Sequence, residues 1–215
     1  MNEFRTKLLN FNRDNYEEEK GLIRFALLLL ALFVLFITIF TYCIISVQVV
    51  GSSMENTLSN GDYLYVNLLG KADYGDVIII DNKKQLSNGT YEYIVKRVIG
   101  LEGDEILIKN GEVYRNGQLL KEDYLRVING NQVKTSANKN DLNDFTSEKK
   151  WIVGENEIFF LGDNRINSKD SRYYETCKES DVVGIVENWS IKTKKLSTSF
   201  NKTISKIRFA LTGVK

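Results

Sequence analysis

An uncharged, apolar stretch near the N-terminus, residues 25–45, constrains the fold of this chain more than any other feature. It holds 21 residues without a charged side chain. At about 1.5 Å per residue, a helix of this length spans about 30 Å, which is the thickness of a bilayer's hydrocarbon core. A cleavable signal peptide has a shorter apolar core behind a short basic segment, whereas 24 residues precede this run. The sequence therefore predicts one transmembrane helix over residues 25–45.

The distribution of basic residues predicts how this helix is oriented. Lys and Arg gather on the cytoplasmic side of membrane helices. No Lys or Arg follows the run until Lys71. Five precede it: Arg5, Lys7, Arg13, Lys20 and Arg24. We therefore expect residues 1–24 to be a cytoplasmic segment and the chain after the helix to lie outside the membrane.

Residues 46–191 are predicted to form a mainly antiparallel β-sheet domain. The predicted strands are rich in Val, Ile and Tyr, residues that favour extended backbone. They cover residues 62–69, 76–81, 91–99, 105–109, 112–115, 157–161 and 181–191. Asn110-Gly111 supplies the two positive φ angles of a type I′ turn and predicts a hairpin. The fold class is therefore a β-sheet domain anchored by one N-terminal transmembrane helix.

Two further segments lack a strand pattern. Residues 129–150 are polar and are expected to be a surface loop or a small insertion. Residues 192–215 form a tail that contains seven Lys and Arg residues and no acid. Two interpretations of this tail stay open, a solvated chain end or a segment that rests on anionic lipid headgroups.

The composition excludes several kinds of chemistry. The chain has no His, which rules out His-based catalytic triads and His metal ligands. Its two Cys residues are too few for a disulfide framework or a four-cysteine zinc site. The formal net charge is +1, so no global basic field favours nucleic acid. We expect no metal, no cofactor and no nucleic-acid partner.

A hydrolase without His needs another base, and Lys96 is the candidate. It lies inside an apolar strand, where burial would favour its neutral amine. Alternation along the strand alone favours the other placement, with Lys96 facing solvent on an edge strand. The candidate nucleophile, Ser53, lies in a Gly51-Ser52-Ser53-Met54 segment that, taken alone, is more typical of a Ser/Gly hinge after the helix. A second Ser-x-x-Lys pattern begins at Ser136, but it lies in a polar stretch and no Lys-Thr-Gly partner follows it.

Together, four stretches resemble the sequence boxes of bacterial type I signal peptidases, the membrane-bound serine–lysine proteases that remove signal peptides. Residues 51–58 (GSSMENTL) look like the family's S-M-x-P-T-L box, and residues 75–78 (GDVI) like its G-D-hydrophobic box. Residues 93–104 (YIVKRVIGLEGD) resemble its K-R-V-x-G-x-P-G-D box. Residues 162–172 (GDNRINSKDSR) match its G-D-N-R-x-x-S-x-D-S-R box. The resemblance covers about residues 22–191 and implies a location in the bacterial plasma membrane.

The resemblance implies a role for each matching residue. Ser53 matches the nucleophile, Lys96 the general base, and Ser168 a serine whose hydroxyl orients the lysine amine. Asp170 and Arg172 match a charged pair that braces the site, and we expect them to form a scaffold salt bridge together with Arg97. The flanks of the substrate pockets are assigned to Met54, Leu58, Ile94 and Val95. The implied partners are preproteins with signal peptides and the lipid bilayer.

This chain departs from the family pattern at three positions. Asn56 and Glu102 replace family prolines, so two turns lose a fixed φ. Gly51 stands where some members have a serine that donates to the oxyanion. The resemblance then implies an oxyanion hole built mainly from the Ser53 backbone N–H and a second donor that the sequence does not identify.

The main alternative is an inactive, membrane-tethered β-domain that binds exported chains. An amine of Lys96 within about 3.2 Å of the Ser53 hydroxyl would favour the enzyme. Among related proteases, the self-cleaving repressors are soluble and carry a helical DNA-binding domain. A mitochondrial peptidase would need an acid-poor leader, whereas the first 24 residues carry five acids. The endoplasmic-reticulum relative uses a His that this chain lacks.

Overall fold

The N-terminal unit of the chain is one long helix. The computed structural model describes residues 2–85 and 91–212, and it divides the chain into two units, residues 1–43 and 44–215. Helix α1 spans Asn2–Cys43. Its stretch Lys20–Thr38 is the one span, within the described ranges, that is long and apolar enough to cross a membrane. The Thr38 hydroxyl donates to the Val34 carbonyl (2.8 Å), so this polar side chain is hydrogen-bonded within the apolar stretch.

The end of this helix differs slightly from the prediction. The predicted helix ran to residue 45, but α1 ends at Cys43 and strand β1 begins at Ile44. Ile44 and Ile45 are β-branched, and they pair with Asn67 and Val66 of strand β2. Pairing across the sheet therefore decides the boundary, and hydropathy alone does not detect it.

The second unit is built on an antiparallel seven-stranded sheet, which confirms the predicted fold class. The strands lie in the order β1-β2-β13-β3-β4-β11-β12. Every strand pair in it is antiparallel. Its members are β1 (Ile44–Gln48), β2 (Tyr63–Asn67), β3 (Val77–Gln85), β4 (Tyr91–Gly100), β11 (Glu157–Leu161), β12 (Cys177–Lys178) and β13 (Val182–Val186).

A smaller sheet and one short strand pair complete the β structure. The smaller sheet has the order β10-β5-β6-β7, and the pair is β8-β9. Their bounds are β5 (Glu105–Lys109), β6 (Glu112–Arg115), β7 (Gln118–Leu119), β8 (Val127–Ile128), β9 (Asn131–Gln132) and β10 (Lys149–Ile152). The predicted hairpin at Asn110-Gly111 is confirmed, since both residues have positive φ (54° and 84°) and join β5 to β6.

Three apolar clusters form the core of this unit. One joins the two sheets, where Trp151 packs against Phe159 with ring centroids 5.1 Å apart. A second lies under β1, β2 and β13 and contains Met54 and Leu58. The third is formed by β3, β4, β11 and β13, with Ile78 fully buried. The segment that follows β1 is thus fixed to the sheet by burial of its apolar side chains.

The C-terminal part contains a helix that the sequence reading missed. The strand predicted over 181–191 ends at Val186, and helix α3 spans Asn188–Thr212. The predicted boundary between domain and tail, at residues 191 and 192, therefore falls inside α3. The helix docks through hydroxyl groups: Ser190 Oγ accepts from the Tyr65 N–H (2.7 Å) and Thr198 Oγ1 from the Tyr63 N–H (2.9 Å). Hydroxyls attach this helix to the sheet, so no inward-facing apolar stripe predicts it.

The predicted polar loop at 129–150 contains β9 and the start of β10 and is otherwise irregular. Its centre is Ser136, whose side chain is fully buried and hydrogen-bonds to the carbonyls of Asp144 (2.8 Å) and Asp141 (2.9 Å). The Ser136 pattern is thus a loop-fixing feature. Two short helical turns, α2 (Ser171–Tyr174) and a 3₁₀ turn (Glu179–Asp181), flank β12.

Candidate active site

Ser53 lies in the turn that follows β1, and Asn164 holds this turn from the opposite side. Gly51 has a φ of +96°, which a residue with a side chain rarely adopts. The Asn164 side-chain amide donates to the Ser52 carbonyl (3.0 Å), and the Asn164 backbone N–H donates to the Ser53 carbonyl (3.0 Å). The two peptide groups on either side of Ser53 therefore have fixed orientations.

Lys96 is buried next to this serine. It lies on β4 opposite Ile78, and its side chain is about 3% exposed. Its Nζ is 2.8 Å from Ser53 Oγ and 2.8 Å from the Val95 carbonyl oxygen. Burial lowers the pKa of Lys96 from 10.5 to about 8, against the opposing charges of Asp170 and Asp163. Of the two placements left open by the sequence, the structure has the buried one.

Ser168 lies beside the pair but does not hydrogen-bond to the lysine. Its side chain is buried, and its Oγ has no hydrogen-bond partner among the described residues. A Cβ added to Gly162 would overlap Ser168 Oγ and would lie 2.5 Å from the Ser53 carbonyl oxygen. Gly162 thus lets Ser168 approach the nucleophile turn. The lysine-orienting role of Ser168 stays a prediction.

The expected salt bridge between Asp170 and Arg172 is present. Arg172 donates to both carboxylate oxygens of Asp170 at 2.8 Å, and neither side chain is exposed. Asp170 also accepts the Gly162 N–H (3.0 Å) and caps α2. The pair therefore fixes the backbone next to Ser168, as a scaffold does.

Arg97 does not join this pair, contrary to the expectation. It donates to both oxygens of Asp163 (2.8 and 2.6 Å) and to the Gly75 carbonyl (2.6 Å), and its guanidinium lies 4.0 Å from the Tyr124 ring centroid. Lys96 and Arg97 are neighbours on a strand, so their side chains leave opposite faces. Arg97 therefore reaches Asp163 and not the carboxylate on the side of Ser168.

Sequence reasoning missed Asp163 and a further buried pair. Asp163 also accepts from the Thr57 hydroxyl (2.5 Å), which ties the nucleophile turn to the strand of the base. Arg165 donates to Glu122 at 2.6 and 3.1 Å with both side chains buried. Asp163 and Arg165 lie inside the 162–172 stretch that matches a family box, so the sequence match could have identified them as site residues. Glu122 lies in no recognisable pattern.

An apolar groove of about 690 Å³ opens at Ser53 and Lys96. Met54, Ile94 and Val95 line it, as predicted from the resemblance. Leu58 does not: it is about 1% exposed and packs in the core. Leu58 lies one helix-like turn after Met54, and its backbone N–H donates to the Met54 carbonyl (2.8 Å). This turn directs the Leu58 side chain into the core.

The groove runs along an open strand edge. Strand β11 pairs with β4 only from Arg97 onward, so residues 92–96 have β3 on one side and no other described strand on the opposite side. An extended peptide could pair with this edge and place a carbonyl at Ser53. Over the described residues, no group of three acidic or Cys side chains gathers in a way that could hold a metal ion.

Comparison with known proteins gives consistent relatives. The family model "Signal peptidase, peptidase S26" matches residues 22–190. Signal peptidase I S of Bacillus subtilis (strain 168) is 33% identical over 163 residues, covering 74% of this chain and 83% of the relative. Signal peptidase IB of Staphylococcus aureus (strain Mu50) is 31% identical over 182 residues, covering 78% and 88%. A crystal structure of a signal peptidase I from Enterococcus faecalis V583 is 30% identical with a TM-score of 0.41, covering 55% of this chain and 98% of that one.

Proposed function

Because the chain belongs to the signal peptidase family, peptidase S26, and is thus a protease that removes signal peptides, we propose that it works in the bacterial plasma membrane with Ser53 as nucleophile and Lys96 as general base. The observation that carries this assignment is the 2.8 Å separation of Lys96 Nζ from Ser53 Oγ in a buried setting. This separation falls within the distance expected for proton transfer and disfavours the inactive binding domain.

The reaction is acyl transfer in two steps. The neutral amine of Lys96 takes the hydroxyl proton of Ser53 while Oγ attacks the scissile carbonyl. The resulting ammonium gives that proton to the leaving amine, which frees the mature protein and leaves the signal peptide esterified to Ser53. Lys96 then takes a proton from water, the hydroxide attacks the ester, and Ser53 recovers its proton.

The oxyanion of each step is assigned to the Ser53 backbone N–H. Gly51 has no hydroxyl to add, and its own N–H donates to Asn60 Oδ1 (3.1 Å). The Ser53 carbonyl is held by Asn164, so the turn does not need to reorganise during the reaction.

The substrate is an extended segment with small residues before the cleaved bond. It pairs with the edge of β4 at residues 92–96, and its small side chains enter the apolar groove lined by Met54, Ile94 and Val95. Helix α1 anchors the enzyme with residues 1–24 on the cytoplasmic side, so enzyme and signal peptide meet in the same membrane.

The test is cleavage, in detergent, of a preprotein with an Ala-x-Ala site. We expect wild type to release the mature protein and Ser53→Ala and Lys96→Ala to lose activity by at least about a thousandfold. The controls Ser59→Ala and Lys71→Ala change exposed residues of the same types and are expected to cleave normally. Normal cleavage by Lys96→Ala would refute the assigned base, and inactive but folded wild type would favour the binding domain.

A further inference from the structure

Helix α3 has an outward apolar face that is largely exposed, although the ring of Trp189 at its start stacks on Tyr65 of β2 (centroids 5.4 Å apart). Its inner face carries Ser190, Ser197 and Thr198, which bond to the backbone of β2. On the outer face, Trp189, Leu196 and Phe200 are 45%, 72% and 58% exposed. Spacings of seven and four residues place these three on one stripe of the helix.

Basic residues lie beside this stripe. Lys192 and Lys195 are exposed on the same helix, and the sequence from Lys192 to the C-terminus contains no acid. A helix with an apolar stripe, a tryptophan near its start and a basic flank has the pattern of a helix that lies in a membrane interface. A protein partner with an acidic surface could also match the lysines. The membrane-spanning helix α1, however, keeps this chain at a bilayer, and this makes lipid the occupant that we favour.

We propose that α3 lies on an anionic lipid bilayer, with Trp189, Leu196 and Phe200 in the headgroup region and Lys192 and Lys195 against lipid phosphates. The proposal rests on the membrane location assigned under the proposed function. Inserted apolar residues supply most of the binding, and each lysine adds roughly fivefold in affinity for anionic lipid. Since α3 is hydrogen-bonded to β2, this contact would fix how the sheet faces the membrane.

The two tryptophans of the chain make a direct test. Trp151 is about 6% exposed in the core and serves as the internal control for Trp189. The full chain is placed in vesicles of phosphatidylcholine and phosphatidylglycerol whose acyl chains are brominated, because bromine quenches nearby indole fluorescence. In Trp151→Phe, which retains Trp189, we expect roughly twofold quenching. In Trp189→Phe, which retains Trp151, we expect almost none.

Two further variants separate the apolar and charged contributions. Leu196→Ser/Phe200→Ser is expected to abolish the quenching of Trp189, and Lys192→Gln/Lys195→Gln to reduce it in vesicles with phosphatidylglycerol but not in pure phosphatidylcholine.

Wild type compared with the double-serine variant gives the same answer if Trp151→Phe does not fold. Equal, low quenching of both tryptophans overturns the proposal. Shielding of Trp189 that depends on protein concentration and not on brominated lipid also overturns it and indicates a second copy. Preprotein cleavage in detergent is expected to be unchanged in each of these variants that folds, so a failure of the membrane proposal can be told apart from a failure of the proposed function.

The contacts of Asn164 support a second, independent inference, which also rests on the proposed chemistry. Its amide donates to the Ser52 carbonyl (3.0 Å), and that carbonyl belongs to the same peptide group as the Ser53 N–H. In a trans peptide the C=O and the N–H point in opposite directions. An amide that holds the Ser52 carbonyl on one side therefore directs the Ser53 N–H to the other side.

The geometry points to Asn164 as a positioning residue for the oxyanion donor. With no hydroxyl at Gly51, the alignment of this N–H carries more of the oxyanion stabilisation than in a site with two donors. Asn167 makes a useful comparison because its amide donates to the side chain of Ser52 (2.9 Å) and not to this peptide group.

Steady-state kinetics on the full chain in detergent tests this role. Asn164→Leu keeps the branched shape, removes the amide and leaves the backbone N–H in place. We expect kcat to fall at least roughly tenfold, with KM and the pH midpoint of kcat/KM unchanged, whereas Asn167→Leu changes kcat by less than roughly threefold. An unchanged kcat in Asn164→Leu overturns the proposal. A loss of kcat that comes with a shifted pH midpoint or a lowered melting temperature also overturns it, because it indicates a general structural role.

Discussion

Replacing Lys96 with methionine should abolish cleavage and yet stabilise the folded sheet at neutral pH. Lys96 is about 3% exposed, and burial lowers its pKa from 10.5 to about 8. The folded state therefore binds this proton less tightly than the unfolded chain does. The difference between the two pKa values corresponds to about 3 kcal/mol of lost stability at pH values below 8. Methionine fills a similar volume and removes this penalty.

The size and sign of the effect follow from linkage. Stability is lost as the pH falls from the unfolded pKa to the folded pKa, so Lys96 weakens the fold fully below pH 8 and not at all above about pH 10.5. Methionine cannot form the two Lys96 hydrogen bonds, to Ser53 Oγ and to the Val95 carbonyl. Their loss together costs about 1 kcal/mol of stability. The expected net gain for Lys96→Met is about 2 kcal/mol at neutral pH, shrinking by about 1 kcal/mol at about pH 9.

Urea unfolding of the full chain in detergent measures this difference when both proteins also carry Trp189→Phe, so that the fluorescence comes from the buried Trp151. Lys71→Met replaces an exposed lysine and is expected to leave the free energy of unfolding unchanged at both pH values. A difference between wild type and Lys96→Met that stays constant with pH would refute the lowered pKa. A difference that grows as the pH rises would mean that the sign of the linkage is wrong.

Three further outcomes are expected from the site. The kcat/KM of wild type should rise roughly tenfold from pH 7 to a plateau above pH 9, with a midpoint near 8, because the neutral form of Lys96 is the base; a pH-rate profile checks this. Gly162→Ala should lower kcat roughly a hundredfold while circular dichroism stays native, because its Cβ would displace the Ser53 carbonyl. Arg97→Met should lower the free energy of unfolding by about 3 kcal/mol, because it leaves Asp163 buried without its partner; urea unfolding measures it.

The sequence predicts well those elements that a local signal specifies, either a turn pair such as Asn-Gly or a short apolar strand. The hairpin at Asn110-Gly111 and the strands around Lys96 belong to this class. Helix α3 does not, because hydroxyls at Ser190, Ser197 and Thr198 attach it to the sheet and no inward apolar stripe marks it. The end of α1 at Cys43 was also missed, because strand pairing and not hydropathy decides it.

For the site, the resemblance identified residues but not their partners. It placed Ser53 and Lys96, which the structure brings to 2.8 Å, but it assigned Arg97 to the wrong carboxylate. Strand alternation alone, with Lys96 and Arg97 as neighbours, would have put the two side chains on opposite faces. Leu58 was misplaced for a similar reason, since the direction of a turn decides whether it lines the groove or the core.

The paired carboxylates around Lys96 explain how a lysine can be a base so close to acids. The charges of Asp170 and Asp163 each raise the pKa of Lys96, and alone they would favour its ammonium form. Each is bound by two hydrogen bonds to one buried arginine, Arg172 and Arg97 respectively, which cancels much of the negative field that reaches the amine. Burial then dominates and lowers the pKa. The Arg172–Asp170 and Arg97–Asp163 salt bridges therefore support the fold and also influence whether Lys96 holds a proton. A substitution that frees either carboxylate should raise the pH midpoint of kcat/KM and lower the free energy of unfolding.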